Sequence, residues 1–247
     1  LFIIGGDHGM PGAARVAAEA GARVGSGLTS IATRSAHGPI LNLARPELMC
    51  YGVESASELE ELLRPANALS VGPGLGQSEW AIALFQKAIE TNLPMVVDAD
   101  ALNLLSKNPQ HHDNWVLTPH PGEAARLLGC SSEEIQADRF AAVYELQRRY
   151  GGVVVLKGSG TLISNGEAPT RLSTWGNPGM GSGGMGDVLA GVIGGLLAQH
   201  FPIMDAACVG VTLHGMAADK AAELDGERGT LAMDLMPHLR RLANLIY

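Results

Sequence analysis

The sequence is short of cysteine, aromatic residues and charge. Only three cysteines occur in 247 residues, Cys50, Cys130 and Cys208, far apart and without a CxxC pair. That excludes a disulfide framework and a thiolate zinc site, and fits reduced thiols in a reducing, cytoplasmic compartment. Charged residues make up 17% of the chain and the net charge is −8. So acidic a chain is a poor electrostatic partner for nucleic acid or an anionic membrane, and any anionic ligand must be held by a local site. Apolar runs are broken by glycine and polar residues before reaching the roughly 20 residues that span a bilayer, and no signal peptide opens the chain. Nor does an initiator Met: Leu1-Phe2-Ile3-Ile4 start in mid-strand, as expected of a piece of something longer. With no Pro/Ser-rich linker and no internal repeat, a single domain over residues 1–247 is expected.

What is abundant is apolar residues, at 46%, and glycine, at 32 residues. The first allows a sizeable core. The glycines cluster in a few places, which points to tight backbone approaches rather than a fibre or linker. Short β-branched runs at 1–4, 28–33, 48–53, 68–71, 95–98, 115–118 and 153–157 alternate with helical stretches. One helix is expected at 78–91, with Ala81, Ile82, Leu84, Phe85 and Ile89 on one face, and another at 134–150, where Ser131 and Glu134 have capping-box spacing. Such alternation predicts an α/β fold, a mostly parallel sheet with helices on both faces and ligands beyond the carboxyl ends of its strands. After Trp175 only helices are expected, at 187–200, 204–224 and 230–246.

Between sheet and helices lies Gly176-Asn-Pro-Gly-Met-Gly-Ser-Gly-Gly-Met-Gly-Asp187. Consecutive N–H groups without Cβ obstruction, at the positive end of a helix, make an anion nest. Gly181-x-Gly183-x-x-Gly186 formally matches the dinucleotide fingerprint, but that pattern requires a strand after its helix. Here another helix follows, with Asp205 at its start. A Walker loop is excluded because the chain has no Gly-Lys pair. Asp187 reads in one way as a helix-capping aspartate. In another way, a carboxylate beside a phosphate nest repels the ligand but suits removal of a proton from a hydroxyl that attacks the phosphate. Each nest donor is worth roughly 3 kcal/mol to the developing charge in comparable sites.

Six ordered motifs carry a resemblance over nearly the whole chain. They are Ile4-Gly-Gly-Asp-His-Gly-Met-Pro-Gly-Ala-Ala14, Gly72-Pro-Gly-Leu-Gly76, Val97-Asp-Ala-Asp-Ala-Leu-Asn103, Leu117-Thr-Pro-His-Pro-Gly-Glu123, Val155-Leu-Lys-Gly-Ser-Gly-Thr161 and Asn177 to Asp187. Together they resemble the NAD(P)H-hydrate dehydratase family of the ribokinase-like superfamily. The resemblance implies a ribokinase-like fold with an all-helical C-terminal segment. It also implies repair of hydrated NADH or NADPH, in which ADP or ATP with Mg²⁺ phosphorylates the ring hydroxyl and phosphate then leaves. ADP, giving AMP, is the donor typical of bacterial members. Asp187 matches the residue that deprotonates the hydroxyl, and Gly183, Gly184 and Gly186 the nest. Lys157, Gly158, Ser159, Gly160 and Thr161 match the nucleotide contact. Ala13, Gly74 and His120 match the cofactor side.

The residues also have plainer readings. Lys157 to Thr161 suits a hairpin with a solvated lysine. Pro119-His120-Pro121 suits a rigid strand-to-helix turn. Gly72 to Gly76 suits a plain turn, and Gly5-Gly6 with Pro11 to Ala14 a similar one. Asp98, Asp100 and Asn103 suit helix caps or ligands of water and Mg²⁺, although no His/Cys/Asp cluster has metal-ligand spacing. His111, His112 and His214 read as structural or solvated. The resemblance further implies a homo-oligomer, commonly a tetramer, and fusion to an N-terminal epimerase domain. A rival expectation is a kinase of the same fold acting on a vitamin precursor such as hydroxyethylthiazole or pyridoxal.

Overall fold

The computed structural model describes residues 1–245. In chain order, β1 (Phe2–Ile4), α1 (Pro11–Arg23), β2 (Ser30–Thr33), α2 (Gly38–Ala44), β3 (Met49–Gly52) and α3 (Ala56–Leu63) form the first half of the sheet and its crossovers. The chain continues through β4 (Leu69–Val71), α4 (Glu79–Glu90), β5 (Met95–Val97), α5 (Ala99–Lys107), β6 (Trp115–Leu117), α6 (Pro121–Leu128), α7 (Ser132–Ala137), α8 (Arg139–Tyr150) and β7 (Val153–Leu156). Then come β8 (Thr161–Ser164), β9 (Arg171–Ser173), α9 (Met185–Leu197), α10 (Ile203–Asp225) and α11 (Leu235–Ala243).

The nine strands lie in the order β3-β2-β1-β4-β5-β6-β7-β8-β9. The pairings from β3 to β7 are parallel, and β8 and β9 add an antiparallel edge. All seven expected strands are present. β9 carries no sequence signal, because Arg171 and Leu172 are both exposed on the outermost strand. Along β1, Phe2 and Ile4 join the core under α4, while Ile3 joins a second core under α1. Burial on both faces is why the inner strands read as unbroken apolar runs, while β3 at the edge is only partly buried.

Three helical expectations change. The stretch at 134–150 is two helices, broken at Asp138, whose carboxylate caps α8 by accepting from Ala141 N at 2.9 Å. The Ser131–Glu134 capping box is present and starts α7. Ile82 is exposed, and Trp80 and Ala88 take its place on the buried face of α4. The last helix begins at Leu235, after a 3-10 turn at Ala232–Asp234, and residue 246 lies outside the described residues.

α9 runs beneath the sheet against α1, backbone to backbone. A Cβ at Gly191 would stand 2.0 Å from Ala17 O, and one at Gly195 2.7 Å from Gly21 O. The glycines inside α9 are therefore a packing requirement, and this contact fixes where the α9 N-terminus points. Gly191→Ala is expected to cost about 1–3 kcal/mol by overpacking. Gly27→Ala, where a Cβ meets nothing within 4 Å, should hold or raise stability by up to about 1 kcal/mol. Denaturant unfolding of both variants checks the contrast; equal effects would contradict it.

Candidate active site

The sheet order reverses between β1 and β4, so the crevice beyond their carboxyl ends is open. The glycine turns after β1 and β4 meet there. A Cβ at Gly5 would stand 2.0 Å from Pro73 O. Gly74, at φ +59°, touches α1, where an added Cβ would lie 3.1 Å from Ala13 Cβ. Ala13 and Gly74 are thus brought together as neighbours. Pro11 to Ala14 are not a second turn: Pro11 opens α1, with its fixed φ in the first helical turn.

From β4 the crevice continues to the ends of β5, β6 and β7. Asp98 sits at the start of α5 but makes no capping bond. Its Oδ1 instead accepts from Thr118 Oγ1 at 2.7 Å and from Lys157 Nζ at 2.8 Å. Asp100 turns the other way and accepts from Gly76 N at 2.8 Å. Ala99 between them has φ +46°, a strained value for a residue with a Cβ. Asn103 is taken up by Arg126, Nε to Oδ1 2.9 Å. Lys157 is therefore not solvated. Its side chain is 19% exposed, and Glu123 Oε2 lies 3.8 Å away on its other side. Burial works against its charge, but Asp98 and Glu123 outweigh that and raise its pKa.

Lys157 does open a hairpin, the β7–β8 turn through Gly158, Ser159, Gly160 and Thr161. Arg139, which carries no sequence signal, clamps this turn by donating to Ser159 O at 2.7 Å and Leu156 O at 3.1 Å. His120 lies in the strand-to-helix turn that its plainer reading expected, and there caps α6. Nδ1 accepts from Gly122 N at 3.0 Å, and Glu123 closes the capping box on His120 N at 2.8 Å. The exposed part of the ring also lines the cavity described next.

A cavity of about 700 Å³ lies between the hairpin turn, the 175–186 segment and α10, and is lined among others by His120, Lys157, Thr161, Trp175, Gly186 and His214. Gly184 caps α9 at φ +88°. A Cβ at Gly183 would meet nothing within 4 Å, so the nest is open to a ligand. A Cβ at Gly186 would come 3.3 Å from Lys157 Nζ and 3.7 Å from Asp98 Oδ2, which places the first turn of α9 against the ion pair. Asp187 is in that first turn. Burial lifts its carboxyl from 3.8 to about 7, Asp98 adds to the rise, and Lys157 opposes it. A carboxyl poised there is suited to exchange a proton near neutral pH. His214 is neither solvated nor ion-paired. Burial, then Lys157, lowers its pKa to about 4, so the ring is neutral. His112 packs against Trp115 at 5.0 Å between ring centroids, a structural role, and His111 is exposed.

The fold defines the class, a ribokinase-like α/β protein, here with a glycine-rich helix terminus beside a carboxylate. The sequence profile described as NAD(P)H-hydrate dehydratase matches residues 1–241, and the chain belongs to that family. It is 56% identical over 244 residues to the bifunctional NAD(P)H-hydrate repair enzyme Nnr of Coxiella burnetii, covering 99% of this chain and 50% of that protein. It is 40% identical to the ADP-dependent (S)-NAD(P)H-hydrate dehydratase of Neisseria meningitidis, covering 100% of this chain and 85% of the relative. The ADP/ATP-dependent NAD(P)H-hydrate dehydratase of Bacillus subtilis, crystallised with ATP and Mg²⁺, superposes with a TM-score of 0.87 at 28% identity, covering 100% and 89% of the two chains. The chain spans about half the length of the bifunctional relatives it matches.

The Asp187 carboxyl has its folded-state pKa above its unfolded value. Its contribution to stability is full below about pH 4 and is lost as pH rises through about 7. Asp187→Asn is therefore expected to stabilise the fold by up to about 4 kcal/mol at about pH 8 and by nothing at about pH 4. Denaturant melts at the two pH values check this; an equal change at both would contradict it.

Proposed function

We propose that this chain restores hydrated NADH and NADPH by nucleotide-driven dehydration, with ADP as donor and AMP as product. One observation carries the reading: Asp187, with a carboxyl near pKa 7, stands in the first turn of α9 beside the nest and the Lys157–Asp98 pair. The substrate enters past Ala13, Gly74 and His120, and the nucleotide occupies the cavity against Lys157, Gly158 to Thr161 and Gly186, with Gly183 and Gly184 in the adjoining turn at the start of α9. Asp187 takes the proton of the ring hydroxyl as its oxygen attacks the terminal phosphoryl group. The α9 N–H groups and Lys157 hold the charge that develops. Loss of phosphate and a ring proton then restores the double bond.

Mg²⁺ supplies further charge neutralisation when it is carried on the nucleotide. Among the described residues no group of three or more His, Cys, Asp or Glu is placed to hold a metal ion. The fit is thus to an ion held mainly by phosphates and water, with Asp98 and Glu123 as the nearby hard oxygen donors. The reading includes a homo-oligomer, a tetramer as its commonest form, in the cytoplasm. It also includes fusion to an epimerase domain, which the half-length match to bifunctional relatives supports.

The test is recovery of reduced-nicotinamide absorbance from hydrated NADH or NADPH with Mg²⁺ and ADP or ATP. One phosphate released per ring restored is expected. A stable phosphorylated product from a vitamin precursor, with no recovery, would establish the rival kinase instead.

Two variants sharpen it. Asp187→Asn should lower kcat about 10²- to 10⁴-fold while nucleotide affinity, by calorimetry, is kept or improved. Unchanged turnover would remove Asp187 from the chemistry. Lys157→Ala should weaken nucleotide binding about 10- to 100-fold. Because Lys157 lowers the Asp187 pKa, its removal should also move the rising limb of the pH–rate profile upward; an unmoved limb would contradict the coupling.

A further inference from the structure

Lys157, the ammonium group that lines the cavity, together with the α9 N-terminus is suited to a phosphate chain. The cavity's apolar lining, Trp175, Met180, Leu189 and Val211, requires a second, uncharged part of the ligand. The three tryptophans of the chain differ sharply in environment. Trp80 and Trp115 are buried at 7% and 1% exposure, and each donates its indole N–H to a backbone carbonyl, Val53 O at 2.8 Å and Tyr150 O at 3.1 Å. Trp175 is 53% exposed and borders the cavity.

Its backbone is nevertheless held firmly. Gly176 N donates to Asp219 Oδ2 at 3.0 Å, and Asn177 Nδ2 to Asp219 Oδ1 at 2.9 Å, tying the segment to α10. Gly215 of α10 lies so close beneath that an added Cβ would be 2.6 Å from Trp175 Cβ. Met180 packs from another side, its Sδ 2.6 Å from where a Cβ of Gly176 would be. On the sheet, Ser173 is in register with Thr161, so Trp175, two residues on, lies across from the hairpin turn that Lys157 opens. A large flat apolar face on fixed backbone, beside the phosphate-binding turn, is suited to a planar aromatic ligand group.

We propose that Trp175 is a specificity-determining residue of the nucleotide site, stacking its indole on the base and favouring a purine over a pyrimidine by the larger overlap. The inference rests on the nucleotide reading above and adds the base to it. Stacking of this kind tolerates different base edges and responds to base area.

Intrinsic fluorescence tests it on the unmodified protein, because Trp175 is the exposed tryptophan of the three. ADP should quench and shift the exposed component of the emission, and Trp175→Phe should abolish that change while still binding ADP. By calorimetry, Trp175→Ala should weaken ADP about 5- to 50-fold yet leave inorganic pyrophosphate within twofold, and UDP should bind the wild type more weakly than ADP. ADP binding with no emission change, or with affinity unaltered in Trp175→Ala, would overturn the stacking role and leave the nucleotide site standing. Equal affinity for UDP and ADP would overturn the purine preference. Failure of ADP to bind at all, by calorimetry on wild type, would overturn both this inference and the functional reading beneath it.

Discussion

The site depends on the ion pair between Lys157 and Asp98. It ties the end of β7 to the end of β5 at 2.8 Å, with Asp98 also held by Thr118 at the end of β6. Three adjacent strands of a parallel sheet are thereby linked at their carboxyl ends, beneath the first turn of α9. In a chain of net charge −8, the pair places a buried cation at the site proposed for the nucleotide. The lysine is buried deeply enough to act at close range, and its carboxylate partners keep it charged. Removing Lys157 would leave Asp98 buried without its counter-charge, a destabilising outcome, while loss of Asp98 would leave only Glu123, 3.8 Å away, to balance Lys157. The pair therefore has a structural and an electrostatic role at once.

Asp187 takes its character from that pair. Burial alone would push its carboxyl upward, Asp98 pushes further, and Lys157 pulls back, so that it rests at about 7. A carboxyl fully ionised at neutral pH would face a phosphate as a bare like charge; one locked in the acid form would be no base. The balance gives a group able to hold a proton or release it. The α9 N-terminus supplies the complementary feature, N–H groups with no side chain in the way. Its direction is set at the far side of the helix, where Gly191 and Gly195 let α1 approach the backbone.

Much of this was legible in the sequence, and what was not has physical reasons. Six of the seven expected strands were readable because burial on both faces leaves unbroken apolar runs, while β9 was not because Leu172 points to solvent on an edge. The glycine-rich start of α9 was readable because glycine spacing is a local signal. The partners of Lys157 were not: a solvated hairpin lysine and a lysine buried on Asp98 have the same local sequence, and 59 residues separate the pair. Asp98 and Asp100 look alike in sequence, yet the strained φ of Ala99 sends one to Lys157 and the other to Gly76. The clamp that Arg139 makes and the place of Trp175 at the cavity are visible only once β7, β8 and β9 are set side by side.

In the proposed reaction the hydroxyl of the substrate ring becomes a phosphate ester at Asp187 before it leaves. Hydrated NADH carrying ¹⁸O in the ring hydroxyl tests this directly, with the released phosphate analysed by mass after one turnover with ADP. One ¹⁸O in each phosphate released is expected. Phosphate free of the label, with the ¹⁸O recovered in water, would mean that the hydroxyl departs without being phosphorylated, and would contradict the proposed reaction.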